Sequence, residues 1–307
     1  MEGSCAKDFG KEIGMVHEGI ITLRGQGLTA AGWEKMKDDK DLARKVVEII
    51  EGKKDFWLEQ ILARERACHL AFFGKEFDLS YFAFKLKKHG ESKIRFWQKL
   101  GLEPHFLPAI SMSQSDNYPG WKVKPEAWFY QKIAEGRIKR DAGGELKTVK
   151  ETKLEDISVL MDTRLKPKYN DGKQMYENDN LLGPIIQGLR KEKKIAKYEY
   201  GPQDSRFGVS ANEIEAHIKR AFAEKTGLNE VRLETVSEAN AIPQIYTYMP
   251  RKDDGKTDTW ILYEEYLDDR DYRLHGGNSD YGGLANVSSN DAGGHWHHRS
   301  FRLLAVL

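Results

Sequence analysis

The stretch from Leu274 to Leu307, LHGGNSDYGGLANVSSNDAGGHWHHRSFRLLAVL, contains no Lys, Glu, Gln or Met, in a chain otherwise rich in Lys and Glu. Its polar positions are almost all Asn, Ser, Asp, Tyr, Gly and His. They lie between a Gly276-Gly277 turn and a closing apolar run, Ser300 to Leu307. The pairs Gly276-Gly277 and Gly282-Gly283 allow positive φ and tight reversals. Ala285 and Val287 read as buried strand positions, with Asn286 and Ser288 alternating outward. Leu303 to Leu307 is apolar on both faces, as in a strand inside a sheet. A rigid frame displaying Asn, Ser, Tyr, Trp and His has the chemistry of a paratope: aromatics give contact area at low entropic cost, and small polar groups give adaptable hydrogen bonds. An ordinary polar loop between two final strands fits the same pattern.

The 307 residues suit one large or two medium domains. Residues 30 to about 110 read as helical. Asp41 to Ile50 puts Leu42, Val46, Ile49 and Ile50 on one face and stops at Gly52; Asp55–Phe73, Asp78–Lys88 and Glu91–Leu100 follow, with Trp57 and Trp97 as core anchors. Short linkers imply antiparallel neighbours. The texture changes near Pro108, and Ser111 to Gly120 is turn-rich. The expected division is therefore a helical domain over 1–110 and a second domain over 111–307. In the latter, Pro125 opens a helix within Trp121–Ile138. Ser210 or Asn212 caps a helix that Gly227 ends. Ile157–Asp162, Val231–Val236, Gln244–Met249, Trp260–Tyr266 and Ser300–Leu307 are strand candidates. The fold class expected is α+β.

The ending resembles the C-type lectin fold of the formylglycine-generating-enzyme type. The matching residues are Arg273, Leu274, Gly276 and Gly277, then Ser300, Phe301 and Arg302. Leu284-Ala285-Asn286-Val287 between them is similar to the variable proteins encoded beside diversity-generating retroelements. In that family a reverse transcriptase randomises template adenines, mainly in Asn codons. The products include Asn, Asp, Ser, Gly, His, Tyr and Ala but exclude Lys, Glu, Gln and Met, which matches the residue types missing here. The resemblance spans roughly residues 150–307. It implies a variable segment of about 275–300, with ligand contacts at Asn278, Asp280, Tyr281, Asn286, Ser288, Ser289, Asn290, Asp291, His295, His297 and His298. Trp296 cannot arise from an Asn codon by this route, so it is a fixed scaffold residue or contact anchor. Gly276, Gly277, Phe301 and Arg302 are expected as framework. The oxidase on the same fold needs cysteines within the lectin-like domain, and this chain has none after Cys68.

Other chemistries find little support in the sequence. His295 and His297 share a strand face, but only Asp291 stands near as a further ligand, and a closed zinc site needs about four. Asp268-Asp269-Arg270-Asp271 and Glu177-Asn178-Asp179-Asn180 could offer oxygens to Ca²⁺, yet neither has EF-hand spacing. Glu264 and Glu265 are neighbours on a strand and point to opposite faces, so they do not flank one bond. Arg190 to Lys197 is a basic run interrupted by Glu192 and reads as an exposed edge. Gly-rich phosphate loops and nucleophile elbows are absent.

Charged residues make up 32% of the chain, yet the net charge is +1. Such balance creates no field that recruits nucleic acid or an anionic membrane. Cys5 and Cys68 cannot form a disulfide framework, and Cys68 reads as a small buried hydrophobe. No signal peptide or eighteen-residue apolar segment stands out, so a cytoplasmic protein is expected. The sequence reading is thus a non-enzymatic, soluble binding protein for an unknown protein or other macromolecule, without cofactor or metal. The alternative is an enzyme of the formylglycine-generating-enzyme-like fold.

Overall fold

The structure, a computed structural model, describes residues 29–40, 42–44 and 56–307. By contacts the chain divides into residues 1–57 and 58–307. This division does not coincide with the sequence boundary drawn at residue 110. Cys5, Val46, Ile49, Ile50 and Gly52 lie outside the described residues, whereas Leu42 falls in a short helical turn. In the first unit, Thr29 caps the helix Ala30–Asp38 by accepting from the Gly32 amide at 3.2 Å.

The second unit is α+β. The helices Phe56–Phe73, of which all but Phe56 and Trp57 fall in this unit, Ser80–His89 and Glu91–Lys99 follow the expected periods to within two residues. In the first, Leu58, Ile61, Leu62, Phe72 and Phe73 face inward at helical spacing. Trp97 is fully buried and its indole N–H donates to the Thr226 carbonyl at 2.9 Å; Trp57 is half-buried.

Two sheets organise the rest. The first has the order β1-β6-β12-β7, from Leu102–Leu107, Ile157–Asp162, Leu303–Val306 and Val231–Leu233. The second has the order β10-β9-β8-β3-β4, from Val287–Asp291, Tyr272–Gly276, Trp260–Leu267, Ile138–Ala142 and Glu145–Thr148. β11, Arg299–Phe301, adds to β8 in parallel. β2 and β5, Ile110–Ser111 and Lys153–Leu154, form a small separate ribbon. β1 precedes the expected boundary, yet it pairs along its whole length with β6 beyond it. The helix Val236–Ile245 packs its buried residues against both sheets, joining Leu107, Val159 and Leu304 on one side to Ile261, Leu274 and Val287 on the other.

Several sequence expectations need correcting. The closing run is two strands, because Arg302 carries the chain from the second sheet into the first. Gln244–Met249 is not a strand. Thr235 and Glu238 form a reciprocal capping box that starts a helix through Ile245. The helix after Pro125 is shorter than expected, Ala127–Ala134. Ser210 does cap the next helix, again with a capping box, and Gly227 ends it in the left-handed conformation; a π-turn, Ile214–Ile218, interrupts it. Among the described residues no helix is long and apolar enough to cross a membrane.

Candidate functional site

Arg302 anchors the C-terminal frame. It is fully buried, donates to Asp254 Oδ1 at 2.9 Å and to the Asp162 carbonyl at 3.4 Å, and lies 5.6 Å from the Tyr176 ring centroid. Arg206 stacks closer to the same ring, at 4.1 Å, and pairs with Asp179 at 2.6 Å and with Asp162 at 2.5 Å. Burial opposes charge on Asp162, but Arg206, Arg164 and Arg302 together hold its carboxyl far below the usual range. Arg251 completes the cluster through a bidentate pair with Glu234 at 2.6 and 2.8 Å. Phe301 is fully buried beside this cluster.

The glycine pair is fixed for steric reasons. A Cβ on Gly276 would overlap the Asn286 carbonyl oxygen and come within 2.6 Å of the Tyr263 hydroxyl. Gly277 has φ +77°, and its carbonyl accepts from the buried Lys166 ammonium at 2.6 Å. Burial lowers the Lys166 pKa to about 8, with Asp254 acting in the opposite direction.

Two candidate contacts are structural instead. Asn278 is buried. Its side chain accepts from the Asp280 amide at 2.8 Å and donates to the Asp258 carbonyl, which pins the reversal. Asn286 is also buried, and its Oδ1 has no hydrogen-bond partner. The expected outward alternation fails there because Gly283–Ala285 form a 3₁₀ turn and the strand begins only at Val287. From Val287 successive side chains take opposite faces, yet Ser288, Ser289 and Asn290 are all half-buried. Ser288 and Asn290 lie opposite His275 and Arg273, while Ser289 and Asp291 share the face of Leu274 and Tyr272. The candidate positions on this edge strand therefore divide between both faces of the sheet.

The remaining candidates, the rim, lie on the β9–β10 connection, on the edge strand β10 and in the loop after it. Asp280, Tyr281, Asp291, His295 and Trp296 are exposed; Ser288, Ser289, Asn290, His297 and His298 are half-buried. Tyr281 lies 5.1 Å from the Trp260 ring, which stacks on His275 at 4.4 Å. The Trp260 amide in turn donates to the His298 carbonyl at 3.2 Å. His298 meets His297 edge-on at 4.8 Å, and Trp296 at 6.4 Å. His297 then reaches Tyr200 at 4.8 Å and Tyr169 at 5.4 Å. The result is an almost continuous band of aromatic and imidazole rings. Burial, reinforced by Arg299 and His298, lowers the His275 pKa to about 3, so this ring is neutral at pH 7. Burial and His297 lower His298 as well.

The loop that carries the histidines is tied down along its length. Ala292 donates to the Asp271 carbonyl at 2.8 Å and accepts from the Asn212 amide at 3.2 Å. Arg299 donates to the Gly294 carbonyl at 2.6 Å, and the Tyr198 hydroxyl donates to the His297 carbonyl at 3.0 Å. His295 Nε2 is 3.1 Å from Glu213. These anchors are backbone groups or residues outside the variable stretch, apart from Arg299 and His295.

Other clusters singled out in the sequence are engaged in structure. Asp268 pairs with Arg137 at 2.5 Å and Arg270 with Asp141; Asp179 binds Arg206. Glu264 faces Arg273 at 3.1 Å and Glu265 faces Arg140 at 3.3 Å, on opposite sides of β8. Among the described residues no group of three or more His, Cys, Asp or Glu is arranged to hold a metal ion. Cys68 is half-buried against the core, and burial raises its thiol to about 11.

Sequence reasoning missed Trp260, Tyr169 and Tyr200, which extend the ring band beyond the variable stretch. It also missed a buried polar joint. Glu65 accepts from the His105 ring at 2.8 Å, the Tyr246 hydroxyl at 2.9 Å and the Phe106 amide at 3.2 Å. The signal was present: Glu65 and His69 occupy core-facing helical positions between Leu62 and Phe72. No family model, no curated protein and no solved structure matches the chain.

Proposed function

We propose that this protein is a non-enzymatic binder whose C-terminal surface, on a C-type-lectin-like frame, recognises varied targets and is diversified by a retroelement. The observation that carries the reading is the separation of roles within one short stretch. Gly276, Gly277, Phe301 and Arg302 are buried or sterically fixed, whereas Asp280, Tyr281, Asp291, His295 and Trp296 project into solvent beside them. Changing an exposed side chain away from caps and ion pairs costs little stability. Apart from His295, which pairs with Glu213, and Asp291, which accepts from the Gly293 amide, the rim can therefore vary while the ion network and glycines hold the fold. Tyr281, Trp296 and the histidines supply contact area, and Ser288, Ser289 and Asn290 supply adaptable hydrogen bonds. Asn278 and Asn286 leave the list of contacts.

The genomic test is direct. The DNA beside the gene should hold a near-copy of the codons for the variable stretch, differing at adenines, together with a reverse-transcriptase gene. Sibling copies of the gene should differ at the rim positions. Siblings that vary at Gly276 or Arg302 while keeping Tyr281 and His297 constant contradict the proposal.

A further inference from the structure

A second surface cleft lies outside the variable stretch. The helix Leu182–Lys191 and the following loop, 193–203, enclose an open cleft of about 810 Å³ lined by Pro184, Gln187, Lys191, Lys193, Ile195 and Lys197, among others. That is within the size range of ligand pockets, ~300–1,000 Å³. Its wall is a built structure. The Arg190 guanidinium donates to the carbonyls of Ala196, Gln203, Ser205 and Phe207 at 2.7 to 3.0 Å, so the loop is stitched to the helix. The Ala196 amide donates to Glu213 at 2.5 Å from the other side.

The charges on the cleft are unbalanced. Lys194 pairs with Glu192 at 2.7 Å, but Lys191, Lys193 and Lys197 are exposed and have no ion-pair partner among the described residues. Lys193 has φ +56°, a backbone conformation that glycine adopts more easily. Three unpaired ammonium groups around an apolar floor of Pro184 and Ile195 are complementary to carboxylates interspersed with apolar side chains.

We infer that this cleft binds an acidic, extended peptide segment of a partner protein. Nucleic acid fits less well. The lining has no aromatic platform on which bases could stack, and the chain as a whole carries a net charge of only +1. The site does not depend on the proposed diversification. Tyr198 stands between the cleft and the variable rim: its ring lies 5.5 Å from Arg190 and its hydroxyl donates to the His297 carbonyl at 3.0 Å.

The test is fluorescence polarisation with the full chain and a labelled short peptide of Asp and Glu containing two leucines. Binding should weaken as salt is raised. The triple variant K191E/K193E/K197E should raise the Kd at least about tenfold, as loss of several exposed ion pairs implies, while Trp296→Ala leaves it unchanged. Peptide binding that is absent, or insensitive to the triple variant, overturns the inference. So does a fall caused by Trp296→Ala instead, which places the peptide on the variable rim. Tighter binding of a single-stranded DNA oligomer, lost in the same triple variant, makes nucleic acid the occupant and also overturns it. Salt-sensitive dimerisation lost in that variant makes a second copy the occupant, with the same consequence.

Discussion

Gly276 and Asn286 meet backbone to backbone: a Cβ on Gly276 would overlap the Asn286 carbonyl oxygen, and that carbonyl accepts from the Gly277 amide at 3.2 Å. The two residues close the β9–β10 hairpin, whose connection carries Asp280 and Tyr281. Gly276→Ala should therefore cost at least about 3 kcal/mol, the upper range for overpacking, because the obstacle is backbone and cannot rotate away. Gly143→Ala is the control. Gly143 has positive φ, which Gly276 does not, but a Cβ there meets nothing within 4 Å, so the cost should be only about 1 kcal/mol, from the backbone alone. Urea midpoints of the two variants compare them directly, and equal midpoints contradict the steric argument.

The buried arginine network makes a second prediction. Arg302→Leu removes one of the two cations that pair with Asp254, the other being Arg251, and one of the three that hold Asp162 ionised. Losing one charged hydrogen-bond donor from a buried network whose other cations remain costs about 1.5–3 kcal/mol. Denaturant unfolding should show a loss of that order. A loss below about 1 kcal/mol means that the network is not what joins the two sheets.

The joint between Glu65 and His105 should make stability depend on pH. Burial opposes charge on His105, but Glu65 and Glu103 outweigh it and raise its pKa above 6.5. Burial likewise opposes charge on Glu65, but His105 outweighs it and lowers its pKa below 4.5. A raised histidine stabilises fully below its unfolded pKa and loses that contribution as pH rises through the folded one. A lowered carboxylate stabilises above its unfolded pKa and loses the contribution as pH falls. His69 is lowered by burial and shifts stability the other way, but it is present in both proteins compared. The stability gap between the native chain and His105→Gln should therefore be widest between about pH 4.5 and 6.5 and narrow on the alkaline side. A gap that widens as pH rises from 7 to 10 reverses the assigned sign.

Within the variable stretch, neighbouring positions should behave differently. Tyr281→Ala should change stability by no more than about 0.5 kcal/mol, because its side chain is largely in solvent, whereas Trp296→Ala, at a residue 40% exposed, should cost about 1 kcal/mol. Asn278→Ala should cost about 1–3 kcal/mol, because it deprives the buried Asp258 carbonyl and the Asp280 amide of a partner. Melting temperatures of the three variants decide this.

Much of the fold was legible where one local rule acted alone. The helix Ser210–Thr226 declared itself through its Ser cap and terminal Gly, and Ile157–Asp162 through its apolar run. The errors arose where two signals competed. The apolar residues at Gln244–Met249 looked like a strand, but the capping box at Thr235 had already committed the chain to a helix ending at Ile245. Asn286 looked exposed because a period of two was carried back through a 3₁₀ turn, which resets it. The buried arginines were opaque for another reason. Arg206, Arg251 and Arg302 are charged residues distant in sequence, and their burial depends on pairings with Asp162, Asp179, Glu234 and Asp254 that only the folded chain brings together. Trp260, Tyr169 and Tyr200 join the ring band for the same long-range reason.

The central claim is that a fixed frame carries a freely variable rim. It is tested most directly by randomising Asp280, Tyr281, Ser288, Asn290, Asp291, His295, Trp296, His297 and His298 together in a displayed library, then measuring protease resistance and selecting against unrelated protein targets. The account expects most members to resist protease like the parent, and specific binders to emerge with changes confined to these positions. A library that is mostly degraded, or one that stays folded yet yields binders only through changes elsewhere, contradicts it.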